Sequence, residues 1–230
     1  MFISSSNNQV ILKGNLSGEF KLIQENYGNF YEVSLTIPRL SGESDVLTIN
    51  MPENMVQNKN IGDEIALLGQ FRSKNVFDGV KSKLELTVYA LSELDPESVE
   101  DRSSNIIMIT GFVCKQPVYR VTPFGREIAD ILVAVNRGHK KSDYLPCIAW
   151  STNAQVASSL NVGDKIEIMG RIQSRNYQKK LNNGDTLRKI AYEVSITKLV
   201  ATSTDSPEGR LKEYFNSILE NVSVKYNLST

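Results

Sequence analysis

The strongest constraint on this 230-residue chain is that it repeats itself about a hundred residues apart. Residues Gly62 to Asn75 read GDEIALLGQFRSKN, and residues Gly163 to Asn176 read GDKIEIMGRIQSRN. Six of these fourteen positions are identical, and Lys74/Arg175 is a conservative pair. The echo continues upstream: Val10-Ile11-Leu12-Lys13-Gly14 matches Ile107-Met108-Ile109-Thr110-Gly111, and Ser44-Asp45 matches Ser142-Asp143. Solenoid units repeat every roughly 20–50 residues, so a repeat this long is a duplicated domain. The chain must be built from two copies of one small fold, over residues 1–95 and 106–200, each of ordinary domain size.

The copies differ in charge. Residues 1–95 hold 8 Lys+Arg against 12 Asp+Glu, a net −4, whereas residues 106–200 hold 14 against 7, a net +7. Residues 96–105 are at −2 and residues 201–230 at −1, so the overall neutrality hides a basic domain beside an acidic one. Clustered positive charge is the footprint of an anionic partner, most often nucleic acid; the alternative is neutral drift between sister copies.

Both copies read as β-rich. In the second, apolar or alternating runs lie at Ile106 to Val113, Glu127 to Val135, Tyr144 to Trp150, Lys165 to Ile172 and Ile190 to Leu199. Turn signals separate them at Pro123-Phe124-Gly125, Arg137-Gly138 and Asn182-Asn183-Gly184-Asp185. A short helix is predicted over Asn153 to Leu160, capped by Asn153 or Thr152. The first copy repeats the order, with strands near 9–16, 29–38, 45–51, 64–72 and 83–92 and a short segment at 53–58. Five strands with a helix between the third and fourth is the layout of the OB-fold, a Greek-key barrel that binds oligonucleotides; a generic small barrel is the alternative. The expected fold class is therefore all-β, two tandem OB-folds. Residues 96–105, polar and acidic, read as the linker. Residues 201–208 read as a second one, followed by an amphipathic C-terminal helix of about four turns. It starts at Ser206-Pro207 and carries Leu211, Tyr214, Phe215, Ile218, Leu219 and Val222 on one face. That face docks either on its own chain or on a partner.

A single nucleic-acid strand needs Lys and Arg for phosphates and flat apolar faces for exposed bases. The second copy offers both. Arg171, Gln173, Arg175 and Tyr177 alternate with apolar positions and share the face away from the core. Lys179, Lys180, Arg188 and Lys189 extend the same hairpin, and Arg137, His139, Lys140 and Lys141 form the loop after the second strand. Tyr144 opens the third strand as a stacking candidate; Trp150 closes it, as core or platform. Tyr119, Arg120 and Phe124 in the first hairpin are ambiguous. In the first copy the weaker counterparts are Arg72, Lys74 and Phe77.

These residues make the second copy resemble the bacterial single-stranded DNA-binding protein family, in the two-domain form that clostridia carry. The matching stretches are Ile109-Thr110-Gly111, Gln116-Pro117, Thr122 to Arg126, Ile131 to Arg137, Tyr144 to Trp150, Val162 to Ile166 and Gly170 to Tyr177. The resemblance implies that base-stacking aromatics fall on Tyr177, Tyr144 and Trp150, with only His139 near a further loop aromatic. The first copy has Val46 for Tyr144, Met51 for Trp150 and Val76 for Tyr177, and so reads as a weak binder, scaffold or pairing surface. The family's acidic tail tip is not matched by Lys225 to Thr230, so enzyme recruitment by that route is not expected.

The expected function is non-catalytic, sequence-tolerant binding and protection of single-stranded DNA during replication, recombination or repair. The rivals are an accessory replication-restart OB protein bridging DNA and other proteins, an RNA-binding OB protein, and a substrate-placing subunit of an enzyme. No nucleophilic triad, phosphate-cradling glycine loop or metal-ligand set is visible, His139 being the only histidine. No cofactor or small-molecule substrate is expected. Cys114 and Cys147 read as free thiols in a reducing cytosol, though a disulfide is open. The N-terminus has no signal-peptide pattern and no apolar run approaches a membrane span, so a cytoplasmic protein is expected. A homodimer, supplying four OB domains, is the expected assembly.

Overall fold

The computed structural model describes residues 7–227 except 26–27, 78, 80, 138–140, 181–185 and 203–208. Strands β1 (Asn8–Glu25), β2 (Gly28–Pro38), β3 (Ser44–Pro52), β4 (Glu64–Phe77) and β5 (Ser82–Leu94) form the first half, with a short helix α1 (Glu53–Val56) before β4. They close on themselves: β1 pairs β2, β2 pairs β3, β3 pairs β5 in parallel, β5 pairs β4, and β4 returns to β1. The second half repeats this ring with β6 (Asn105–Val113), β8 (Glu127–Asn136), β9 (Ser142–Trp150), β10 (Lys165–Lys180) and β11 (Thr186–Ala201), and with helix α2 (Thr152–Ser158) between β9 and β10. Each half is thus a closed five-stranded OB barrel, and the fold is all-β with few helices.

Gly62 and Gly163 sit at φ of 97° and 95° in the turns entering β4 and β10, a region that favours glycine. The following aspartates close those turns: Asp63 accepts from the Asn60 amide at 2.8 Å and Asp164 from the Asn161 amide at 2.7 Å. Ile65 and Ile166 are buried in the barrel cores. Gly69 and Gly170 mark register shifts against β5 and β11. A Cβ at Gly69 would lie 2.6 Å from the Tyr89 carbonyl oxygen, and one at Gly170 would run into that of Ser195.

The halves are not beads on a string. β1 pairs β4 on one side and β6 on the other, Ile11 lying opposite both Leu68 and Ile106. This seam merges the barrels into one 12-stranded sheet. The segment read as a linker is packed rather than loose: residues 96–98 and 101–103 form single 3₁₀ turns, Val99 is buried, and Lys13 Nζ donates to the Val99 carbonyl at 3.1 Å.

The sheet face opposite the barrels carries a second apolar cluster, including Ile11, Leu68, Leu94, Met108 and Met169. Helix α3 (Arg210–Glu220) covers it with Leu211, Phe215 and Leu219. Of the two readings of this helix, docking on its own chain is the one found, over 11 residues; its expected start at Ser206-Pro207 lies outside the described residues. Glu167, buried in β10, supplies the cap, accepting from the Gly209 amide at 2.7 Å and the Leu211 amide at 3.4 Å. A carboxylate there also suits the positive end of the helix dipole. The last described element is β12 (Val224–Asn227), on β5 of the first half.

Three expectations are corrected. The short helix of the second half spans Thr152–Ser158 with Ser151 at its N-cap and no side-chain cap, in place of Asn153 or Thr152. A further strand, β7 (Val118–Val121), forms a hairpin with β8. All four of its residues are exposed, so it lacks the alternation that marks a strand; Pro117, without an amide to donate, lies between it and β6. Thirdly, Met51 is not the counterpart of Trp150. The parallel pairs Asn50↔Tyr89 and Ile148↔Ser195 are equivalent, so Trp150 corresponds to Pro52. Met51 faces the core like Ala149. A one-residue slip reverses every face of a strand.

Phe215 is fully buried between the helix and the sheet. Phe215→Ala should lower unfolding free energy by about 3–5 kcal/mol, measured by urea denaturation.

Candidate nucleic-acid interface

The seam is fastened by a reciprocal clasp. Asp45 on β3 of the first half accepts from the Ser174 amide on β10 of the second at 2.8 Å, and the Val46 amide donates to Ser174 Oγ at 3.0 Å. The mirror set is complete: Asp143 on β9 accepts from the Ser73 amide at 2.8 Å, and the Tyr144 amide donates to Ser73 Oγ at 2.8 Å. Arginines complete each aspartate. Arg39 and Arg171 reach Asp45, the latter at 2.9 Å, and Arg137 reaches Asp143 at 3.3 Å. Burial, and then the like charge of Arg39, pulls the Arg171 guanidinium below its ordinary value. Burial pushes the Asp143 carboxyl up, opposed by the Ser73 amide and by Arg137 and Arg72.

This clasp re-sorts the row predicted on β10. Arg171 and Gln173 point away from the barrel core but are engaged, Arg171 by Asp45 and Gln173 by Glu193 at 2.6 Å. Arg175 is exposed on the same strand. Beyond it the β10–β11 ribbon pairs Tyr177 with Lys189, Gln178 with Arg188 and Lys180 with Thr186, Lys179 lying between. The side chains of Tyr177, Lys179, Lys180, Arg188 and Lys189 lie outside the described residues, as do His139 and Lys140 entirely. Lys141 is exposed, Arg137 half-buried in the clasp.

Tyr144, the third residue of β9, is 39% exposed beside the clasp that holds its amide. Trp150 closes β9 half-buried, its Nε1 donating to Ser195 Oγ at 3.2 Å. Among the described residues it packs into neither apolar core. Phe124 is 92% exposed at the β7–β8 turn. Near it Arg120 is paired with Asp130 at 3.0 Å and Tyr119 with Glu127 at 2.5 Å. Cys147 is buried in the core and Cys114 half-buried, both as free thiols. Among the described residues no group of His, Cys, Asp and Glu could hold a metal ion.

In the first half Lys74 is exposed and Phe77 is 69% exposed at the end of β4. Arg72 donates to Gln70 and lies 5.2 Å from the centroid of the Tyr89 ring. Tyr89 in turn meets Phe30 edge to face, with centroids 6.1 Å apart. Sequence reasoning missed this pair, because neither ring stands where the second half has one. The clasp residues Asp45, Ser73, Asp143 and Ser174 were legible only as repeat identities.

Two OB barrels side by side, one of them strongly basic, define a class of protein built to hold nucleic-acid strands. Residues 104–200 match the single-strand binding protein family. Single-stranded DNA-binding protein 2 of Listeria monocytogenes is 30% identical over 132 residues, which cover 54% of this chain and 77% of that protein. Single-stranded DNA-binding protein A of Bacillus subtilis is 34% identical over 83 residues, covering 33% of this chain and 48% of its own length. The wild-type single-stranded DNA binding protein from Thermus aquaticus shares the fold across both halves. Its TM-score is 0.66 at 19% identity, covering 88% of this chain and 96% of that one. This chain belongs to the single-strand binding protein family.

The clasp separates two neighbouring arginines. Arg171→Ala should destabilise the chain by about 1–3 kcal/mol, because it strips a charged hydrogen bond from a buried carboxylate. Arg175→Ala should stay within about 0.5 kcal/mol of the parent. Parallel urea titrations of the two variants check the difference.

Proposed function

We propose that this chain binds single-stranded DNA without catalysis and with little regard to sequence, protecting exposed strands during replication, recombination or repair. The observation that carries the reading is the family match over residues 104–200, the same stretch that holds the net +7. Residues 1–95 and 106–200 act as two binding domains, the second the stronger, with 96–105 joining them and, within 201–230, α3 and β12 fastening their shared back. In the second, Arg175, Lys141 and the ribbon cations Lys179, Lys180, Arg188 and Lys189 neutralise phosphates, while Tyr144, Trp150 and Tyr177 stack on bases. Among the described residues no helix is long and apolar enough to cross a membrane. The protein works in the cytoplasm as a homodimer, which places four barrels on one strand.

The direct test is titration with oligo-dT, following anisotropy of the labelled oligonucleotide and quenching of the single tryptophan, Trp150. If four to six phosphates are neutralised, log affinity should fall against log salt with a slope of about −3 to −4, at about −0.7 per phosphate. An affinity indifferent to salt would remove the electrostatic part of the reading.

Stacking has its own signature. Tyr177→Ala should cost about 1–3 kcal/mol of oligo-dT affinity, and Tyr177→Phe should cost little because the ring remains. A Tyr177→Ala chain that unfolds while its folded fraction binds normally would place Tyr177 in the core instead.

A further inference from the structure

The first half looks poor in stacking surfaces only when it is matched to the second position by position. Trp150 lies opposite Ile128 across β8–β9 and is bonded to Ser195 on β11. The equivalent triplet in the first half is Pro52, Phe30 and Tyr89. Phe30 lies opposite Pro52 across β2–β3, and Tyr89 occupies the β5 position that matches Ser195. The same patch of barrel is therefore aromatic in both halves, but the rings have moved: one indole on the third strand in the second half, two rings on the second and fifth strands in the first.

Three features mark the Phe30–Tyr89 pair as a surface device. Both rings are half-buried and, among the described residues, neither packs into either apolar core. Their outward placement follows from register. Phe30 lies an odd number of positions from buried Val33 and so on the opposite face of β2, and Tyr89 lies between Val88 and Ala90, both buried in the core. A guanidinium accompanies them, Arg72 standing over Tyr89. It orients that ring and brings a cation within reach of a phosphate beside any base seated on the pair.

We propose that Phe30, Tyr89 and Arg72 form a nucleobase-binding site on the first half, the counterpart of the Trp150 site on the second. The site rests on the single-stranded DNA reading. A strand bound across the chain stacks one base there, so the acidic half is a contributing barrel and not only a scaffold.

The test uses the full chain and two oligo-dT lengths: one of about 10 nucleotides, within the range one OB barrel covers, and one of about 40, able to span both. The double variant Phe30→Leu/Tyr89→Leu removes both rings while keeping apolar bulk. Its affinity for the long oligonucleotide should fall about tenfold and its footprint should shorten. An unchanged affinity and footprint in a folded variant overturns the site. Should the variant not fold, photocrosslinking of the unaltered chain to long oligo-dT carrying 5-iodouracil decides. Adducts on peptides holding Phe30 or Tyr89 support the site; adducts confined to residues 106–200 overturn it. Failure of the unaltered chain to bind either oligonucleotide, with no quenching of Trp150, overturns the single-stranded DNA reading and this site with it. That outcome is distinct from a chain that binds the short probe and gains nothing from the long one.

Discussion

Everything else in the molecule depends on the seam where β1 runs antiparallel to β6. β1 pairs β2 only from Asn15 onward, so without β6 the stretch Asn8–Leu12 would leave one side open for another strand to pair. Here each half closes the other's exposure. The shared strand pairing also brings β3 of one half against β10 of the other, and β9 against β4, where the clasp forms twice. Asp45 and Asp143 are 1% and 2% exposed, and a carboxylate so buried is tolerable only if fully partnered. Each finds its backbone partner in the opposite half, Ser174 for Asp45 and Ser73 for Asp143. The serine repeated in both copies therefore reports a contact between copies. The arrangement has the logic of a two-fold interface, residue i on j and j on i, folded into a single chain.

The clasp also decides which cations remain for a ligand. Arg171 and Arg39 serve Asp45, and Arg137 serves Asp143. Arg72 and Arg137 line a polar cleft at the seam together with Asn7 and Gln70. The guanidiniums nearest the junction are thus engaged by the clasp, Arg171 and Arg39 reaching across it to Asp45 and the Ser174 carbonyl respectively, while Arg175 and Lys141 are exposed. On this division the aromatic rings proposed to stack on bases flank the junction: Tyr144 beside the clasp, Trp150 on the outer face of one barrel, Phe30 and Tyr89 on that of the other.

Much of this was legible in the sequence, and what was not has specific causes. The repeat, the five-strand order and the inward positions follow from identities and period-two alternation, and Ile65, Ile166, Ile168 and Ile172 are buried as that period requires. The role of Arg171 could not be read, because alternation says only that a side chain leaves its own core, not that another half waits there. Glu167 looks like a surface residue of an alternating strand, yet it is buried as the cap of a helix more than forty residues away in sequence. Phe30 and Tyr89 escaped because comparing copies along one strand cannot see a ring that has moved to the neighbouring strand; only cross-strand register restores the match. The Met51 slip has the same root, since a proline at position 52 removes the ring that would have shown which face the position takes.

A rigid relation between the halves changes what a second binding site is worth. After β11, helix α3 lies across the sheet beneath the seam and β12 pairs with β5 of the first half. With β1–β6 on one side and this strap on the other, the barrels do not need to be brought into register when a strand arrives. A flexible tether would spend binding energy on ordering the two barrels relative to one another. Here that ordering is completed on folding. On the proposed sites, a base on Trp150 and a base on the Phe30–Tyr89 pair would be held at a set separation, and the second contact would become an intramolecular event. Its benefit depends on whether the strand between them has the length to span the seam. If both proposed sites stack bases, their fixed separation makes a strand long enough to reach both bind more tightly than one that reaches either alone.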